Sequence, residues 1–303
     1  MKHFHPKKIV RLAKEKIHDV FWYYLVPDRW EIRHRFRKKV GYVPNLRHPV
    51  TFNEKIQWLK LHDHDSRYPL LIDKFRVKAI VGDVIGEEHI IKTLCGPFSR
   101  FDDIPFKELP ERFVIKCNHD AASTVICKDK SSFNYSEAKE KLEKSLRTNY
   151  YHQIGKQWGY RDIEPYIFVE EYMQDADKSE LEDYKFMVFN GKCRCVFVCS
   201  GRNSTGLMID VYDEKWNLLP IRRDCPNSKK NLPKPDNFEE MLKMAEKLAV
   251  FVGNAFVRVD VYDINDRIYF GELTFYPNGG FGKFHPQEWD YTLGSWIKLP
   301  IDK

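Results

Sequence analysis

The stretch that most constrains this chain runs from Val257 to Gly280, VRVDVYDINDRIYFGELTFYPNGG. Apolar and polar residues alternate with period two through VRVDVYD, INDR interrupts them, and RIYFGELTF resumes as a β-rich run, which predicts a β-hairpin. Arg258, Asp260 and Glu272 fall inside these strands, and a buried charge is costly unless it is paired or binds an ion. Two carboxylates 12 positions apart on facing strands, followed by Asn278-Gly279-Gly280, offer hard oxygen ligands to a divalent cation. A surface hairpin with salt-bridged edges is the other reading. Strand side chains alternate faces, so a two-residue Asn265-Asp266 loop would put Asp260 and Glu272 on opposite faces. A three-residue loop, Asn265 to Arg267, or a bulge would place them opposite each other on one face. A shared metal site requires the second arrangement.

The rest of the 303 residues bound the class. With 43% hydrophobic and 15% aromatic residues, the chain is expected to fold as one large domain or two to three smaller ones, each with its own core. No apolar run approaches the ~18 residues of a membrane span. The basic N-terminus lacks the apolar segment and cleavage site of a signal peptide. Seven cysteines, Cys193, Cys195 and Cys199 among them, show neither zinc spacing nor a disulfide framework, so reduced thiols in a cytoplasmic protein are expected. The net charge of +6 is local: residues 1–40 hold 12 Lys/Arg against four Asp/Glu, a net of +8, and the remainder sums to −2. Anionic lipid, acidic polysaccharide and nucleic acid would each suit such a segment, as would plain solvent exposure of a helix face.

Along the chain, residues 6–26 carry apolar residues at helical spacing among lysines and arginines, a helix able to dock on its own core or lie on an anionic membrane. RHRFRKK (33–39) is a second basic run around Phe36. Thr51-Phe-Asn-Glu54 is a capping box opening a helix to about Leu61. A further helix is expected from Tyr68 to Val84, containing Asp73-Lys74, with Gly86 at its end. Gly96 to Pro110 reads as a connector. Strand Phe113-Val-Ile-Lys116-Cys117 enters His119-Asp-Ala-Ala-Ser123-Thr124 and a second strand at 125–127. That arrangement can wrap phosphates or be a plain hairpin. An amphipathic helix is expected over 134–151. Tyr166-Ile-Phe-Val-Glu170-Glu171-Tyr172 is a buried-type strand ending in two acids, and Asp183-Tyr-Lys185 opens the next. Asn190-Gly191 signals a hairpin turn, and Asn237 caps a helix over about 238–252.

Taken in order, these segments resemble the ATP-grasp superfamily, and more closely the TupA-like ATP-grasp proteins of bacterial surface-polysaccharide gene clusters. The matching segments are TFNEKIQWLKL (51–61), DKFRVK (73–78), FVIKCNHD (113–120), FVEEYM (168–173), DYKFMVFNGK (183–192), FVRVDVYD (256–263), IYFGELTFYPNGGF and EWDYTLGSWIKLP. The resemblance implies an α+β, ATP-grasp fold with ATP between two α+β subdomains. Its expected division is a basic helical segment (1–50), a helical N-terminal part (51–110), a lid subdomain with the phosphate loop (111–173) and a C-terminal subdomain with the metal-binding hairpin (174–303). By position, Lys74 and Lys116 match the lysines that hold ATP phosphates, and His119 to Thr124, Ser123 included, the loop that closes over them. Glu170, Glu171 and Tyr172 match the adenine-binding hinge, and Asp183 the ribose position. Asp260 and Glu272 match the Mg²⁺-binding acids, and Arg258 the basic residue beside them. Ala121 and Ala122 stand where glycines are usual, and Thr274 where an Asn commonly follows the metal Glu, leaving Asn278 as the substitute amide.

The implied activity is an ADP-forming carboxylate–amine ligation through an acyl-phosphate, with ATP and Mg²⁺ as cofactors. The expected partners are an anionic sugar or polysaccharide precursor and an amine or amino acid, with Arg202 and Lys185 as candidate substrate contacts. A glycosyltransferase would want an Asp-x-Asp motif, a form that Asp175-Ala-Asp177 has, though it reads better as the turn after the hinge, and Lys74, Lys116, Asp260 and Glu272 argue against a non-catalytic nucleotide- or polysaccharide-binding protein. Nucleic-acid binding finds only Trp30 and Phe36 as stacking groups in the basic run at 29–39.

Overall fold

The computed structural model describes residues 26–121, 123–176, 180–201, 206–228 and 231–302. The helix expected over 6–26 therefore lies, but for Val26, outside the described residues, as do Ala122, Asp177 and Arg202. Helix α1 (Asp28–Val40) takes in the second basic run. It buries Ile32 and Phe36, the latter edge-on to Tyr42 and Phe281, so Phe36 is a core residue and offers nothing to a nucleic-acid base. Helix α2 (Phe52–His62) opens on the expected capping box, in which Thr51 and Glu54 satisfy each other's backbone N–H.

The helix expected over 68–84 is broken in two, α3 (Tyr68–Ile72) and α4 (Arg76–Ile85). Asp73 breaks it: its Oδ1 accepts the N–H groups of Phe75 and Arg76 at 2.9 and 3.0 Å, an Asx cap that starts α4 afresh. Lys74 is thereby lifted off the helix surface. Gly86 ends α4 with a φ of 108°, as its position suggested.

Two antiparallel sheets follow. The small one has the order β1 (Thr93–Phe98), β4 (Ile167–Glu171), β2 (Phe113–Cys117), β3 (Val125–Cys127), with α5 (Tyr135–Leu146) and α6 (Tyr150–Gln153) between β3 and β4 in the chain. Strand β1 takes in the first three residues of the connector read over 96–110, since Thr93, Cys95 and Phe98 pair with β4 through an irregular ladder, and 99–110 connects β1 to β2 with one 3₁₀ turn at Phe101–Asp103. The small sheet thus draws strands from both sides of residue 110, and the helix expected over 134–151 is likewise two helices.

The large sheet has the order β10-β9-β5-β6-β7-β8, comprising β5 (Asp183–Phe189), β6 (Lys192–Ser200), β7 (Met208–Asp213), β8 (Leu218–Leu219), β9 (Phe256–Ile264) and β10 (Arg267–Thr274). Its two faces differ as period-two alternation requires. Tyr184, Phe186, Val257, Val259 and Val261 join the main core with α7 (Phe238–Val252), where the Phe186 and Phe238 rings stack at 5.9 Å. The other face carries the charges. Helix α8 (Glu288–Trp296) packs on α2, and Asn53 bridges them: its side chain donates to Gly282 O at 2.8 Å and to Asp290 Oδ2 at 2.9 Å.

Candidate active site

The predicted hairpin is present as β9–β10, and its register resolves the opposite-face problem. Asn265 and Asp266, with φ of 50° and 59°, form the two-residue left-handed turn that suits hairpin twist. By itself this turn would send Asp260 and Glu272 to opposite faces. Between Phe270 and Glu272 the ladder shifts by one residue, so Gly271 is bulged out and Glu272 pairs directly with Asp260. A Cβ at Gly271 would lie 3.0 Å from both Asp260 O and the Tyr262 ring, so glycine suits the tight bulge.

Cross-strand pairing carries the cluster outward. Lys185 pairs with Asp260 and Met187 with Arg258, so one sheet face presents Asp183, Lys185, Arg258, Asp260, Glu272 and Thr274 together. Arg258 donates through Nη2 to Asp260 Oδ2 at 2.7 Å and to Glu272 Oε1 at 2.8 Å, and its Nε reaches Asp260 Oδ1 at 2.5 Å. Lys185 Nζ lies 2.5 Å from both Asp260 Oδ2 and Asp183 Oδ2. Lys74 stands 3.5 Å from Glu272 Oε2, completing a cluster of three cations and three carboxylates. Burial alone would raise the Glu272 pKa, but Lys74 and Arg258 hold the carboxyl well below its usual range. Burial pushes Asp260 up against the pull of Arg258 and Lys185. Burial would lower Lys185, yet Asp260 and Asp183 keep it above the ordinary lysine value.

Lys74 reaches this cluster because of the Asp73 break. Asp73 Oδ2 accepts from Asn118 Nδ2 at 2.8 Å and from Tyr166 OH at 2.6 Å, which ties the break to the end of β2 and the start of β4. Lys74 Nζ also donates to the Asp120 carbonyl, so the loop after β2 sits directly against the acids. That loop is held from within. Ser123 Oγ donates to Asp120 Oδ1 at 2.5 Å and accepts the Cys117 N–H at 2.9 Å, and Ser145 donates to the other Asp120 oxygen. The buried His119 contacts Asn118 Oδ1 and Ser145 O, and burial lowers its pKa. Thr124 is exposed at the loop's end.

Lys116 makes a close ion pair with Glu170 Oε2, while Lys78 holds Oε1 at 2.5 Å. Burial would raise Glu170, but Lys116 and Lys78 outweigh it and lower its pKa. The end of β4, expected as the adenine hinge, thus contains a buried carboxylate already clasped by two lysines, with Glu171 exposed beyond it and its N–H given to Lys92 O. Tyr172 lies under Arg112, 5.6 Å from the guanidinium carbon. Lys78 was overlooked in the sequence because it sits at helical spacing among other polar residues. Tyr150 and Tyr160 were overlooked too: they line a cavity of about 220 Å³ with His119 and Arg161. Burial raises both phenols, and the charge of Glu272 adds to each.

Asn278 places its Nδ2 3.2 Å from Asp224 Oδ2 and has a φ of 50°. Thr274 instead donates to Glu272 Oε1 at 3.0 Å. Asp175 accepts the Asn265 N–H at 3.2 Å, fastening the segment after β4 to the hairpin. Among the described residues no group of three or more His, Cys, Asp or Glu could hold a metal by itself. The acids that face one another number two, Asp260 and Glu272. That donor set fits Mg²⁺, which is commonly held by one or two carboxylates together with substrate phosphates and waters.

The sequence profile of the family described as TupA-like ATPgrasp matches residues 54–298. No curated protein matches the chain. Among solved structures, D-alanine–D-alanine ligase from Bacillus anthracis, complexed with ATP, is similar at 16% identity and a TM-score of 0.39, covering 68% of this chain and 54% of that one. ATP-grasp ligase PsnB, complexed with minimal precursor, Mg and ADP, is similar at 11% identity and a TM-score of 0.41, with 74% and 57% covered. N5-carboxyaminoimidazole synthetase from Staphylococcus aureus is similar at 12% identity and a TM-score of 0.40, with 68% and 44% covered. The chain spans about half the length of these structures, and likenesses at such TM-scores carry no argument about its chemistry. No helix among the described residues is long and apolar enough to cross a membrane.

Proposed function

The chain belongs to the TupA-like ATP-grasp family, and we propose that it is an ATP-dependent, ADP-forming carboxylate–amine ligase that joins an amine or amino acid to a uronic acid of a bacterial surface polysaccharide. The observation that carries this reading is the bulge at Gly271, which sets Asp260 and Glu272 on one sheet face with Arg258, Lys185 and Lys74 around them. In this reading Asp260 and Glu272 hold Mg²⁺, which supplies positive charge to the β- and γ-phosphates.

Lys74 and Lys116, 17% and 26% exposed at their side chains, are reachable cations for the phosphates. Lys74 gives up its contact with the Asp120 carbonyl to do so, which couples phosphate binding to movement of the loop at 119–124. Arg258 faces the reacting carboxylate and offsets the charge that builds as its oxygen takes the γ-phosphoryl group and ADP leaves. The amine then attacks the acyl carbon, phosphate departs, and the amine's proton passes to solvent. No protein nucleophile is required. Lys185 serves as a positioning residue, since it fixes Asp260 and Asp183 in one geometry. Asp183 toward the ribose, Glu171 and Tyr172 toward the adenine, Asn278 as an added metal oxygen and Arg202 toward the substrate are the remaining proposed contacts. Contact of residues 1–40 with an anionic membrane face is proposed on their charge.

The test is incubation with ATP, Mg²⁺ and a panel of uronic acids and amines, reading ADP and product mass. ADP release that needs both a carboxylate and an amine, and that is lost in Glu272→Gln and Lys116→Ala, is the expected result. Unchanged ADP release in both folded variants, or a product that requires a sugar nucleotide, would sink the assignment.

A further inference from the structure

Among the described residues, one charge near the site has no counter-charge within pairing distance. Arg223 is 6% exposed, yet among the described residues neither its Nε nor its Nη2 has a hydrogen-bond partner, and no carboxylate lies within 4.0 Å of it. Its guanidinium carbon stands 4.4 Å from the Phe284 ring centroid and 6.0 Å from that of Phe197. Stacking satisfies the flat face of the group and leaves the donor edge bare. Phe197 pairs with Lys185, which pairs with Asp260, so the Arg223 edge lies over the same sheet face as the charge cluster.

Gly282 shapes the space beside it. A Cβ there would fall 1.9 Å from Arg223 Nη2 and 3.0 Å from Asn278 Nδ2, so two donor side chains converge where this chain has no side chain. Burial lowers the Arg223 pKa to about 10, with Asp224 and Asp290 acting from beyond pairing distance to raise it. The group stays charged at neutral pH. A buried, uncompensated guanidinium weakens the fold that contains it, and its adjacent Nε–H and Nη2–H match the two oxygens of a carboxylate.

We propose that Arg223 binds a second carboxylate of the substrate, distinct from the one that reacts near Arg258. The substrate is accordingly a dicarboxylate, either a small diacid or a sugar-acid chain with two uronate groups. This rests on the ligase reading for the identity of the site, but its test needs no turnover. Thermal-shift titrations at constant ionic strength would compare glutarate with butyrate, and digalacturonate with galacturonate. For the wild type, one diacid should raise the melting temperature at concentrations at least tenfold below its single-carboxylate counterpart, and which pair responds identifies the source. Arg223→Met keeps the length and the apolar contact with Phe284. It should abolish that preference, melt no lower than the wild type when free, and keep its response to ATP and Mg²⁺. Glu272→Gln should keep the diacid preference even though ADP release is lost. Absence of ADP release with the preference intact would overturn the ligase reading alone. A wild type indifferent to the second carboxylate, a preference that survives in Arg223→Met, or an Arg223→Met that melts lower with unchanged titrations would overturn this proposal.

Discussion

Glu170→Gln removes the charge that two lysines share. The Glu170 side chain is 5% exposed, with Lys78 (13%) at 2.5 Å and Lys116 (26%) in closer contact. At an effective dielectric of about 20, the attraction of one such pair at that separation is about 7 kcal/mol gross, most of which offsets the loss of hydration. Breaking a buried pair from one side costs about 3–5 kcal/mol net, and the partial exposure of Lys116 places this case near about 3 kcal/mol. The neutral amide also leaves two ammonium groups facing each other across it. For a chain of this size the expected fall in melting temperature is about 6–12 °C.

Protonation distinguishes this ion clasp from simple packing. Because Lys116 and Lys78 depress the folded pKa of Glu170 despite its burial, the stability it supplies is fully present above the unfolded value of about 4.3 and fades as pH falls through the lower folded value. Melting curves of wild type and variant should therefore differ by the same margin at pH 7 and pH 5.5 and converge only as pH falls below the unfolded value and through the lower folded one. Adding Lys78→Met to Glu170→Gln should recover part of the loss, a coupling of about 0.5–3 kcal/mol. A difference under 2 °C at pH 7, or one that persists unchanged as pH falls through that window, would refute the ion-clasp account.

Three further substitutions probe other joints. Asn53→Ala strands Asp290 Oδ2 and the Gly282 carbonyl together, since the Asn53 amide serves both, while the backbone N–H of residue 53 keeps Oδ1; urea unfolding should show a loss of about 2–4 kcal/mol, each buried group left unsatisfied costing about 1–3. Gly271→Val crowds Asp260 O and the Tyr262 ring at the bulge, costing about 1–3 kcal/mol in the same assay; the thermal shift produced by ATP with Mg²⁺ should shrink as Glu272 moves out of register with Asp260. Gly282→Ala drives a methyl against Arg223 Nη2. Its destabilisation should be largely relieved in the Arg223→Met background, a non-additivity of about 0.5–3 kcal/mol by double-mutant cycle.

The hairpin was legible because alternation and a two-residue turn are local signals. Its bulge was not, because a glycine in a strand is equally consistent with a close backbone approach. Only the ladder shows that Gly271 is skipped and Glu272 brought opposite Asp260. The same limit explains the helix wrongly continued through residue 73. Tyr68 to Val84 has helical spacing throughout, and its break depends on Asn118 and Tyr166 holding one oxygen of Asp73 while the other caps α4. Likewise Phe36 sits in a basic run, and its burial depends on Phe281, distant in sequence.

Lys78 and Arg223 mark a different boundary. In a sequence, a lysine at helical spacing is indistinguishable from a solvated one, and nothing local says that Glu170 will meet it. Arg223 is harder still, because what sets it apart is the absence of a nearby partner, which only three-dimensional packing can reveal. Yet the two residues obey one rule. At two of its buried acid sites the chain places cations in pairs or clusters, Lys78 and Lys116 around Glu170, and Arg258, Lys185 and Lys74 around Asp260 and Glu272. Arg223 has the cation, packed against Gly282, but Asp224 and Asp290 act on it only from beyond pairing distance. Since an uncompensated buried charge weakens the fold, the missing acid is best supplied from outside the chain, by the molecule on which it acts.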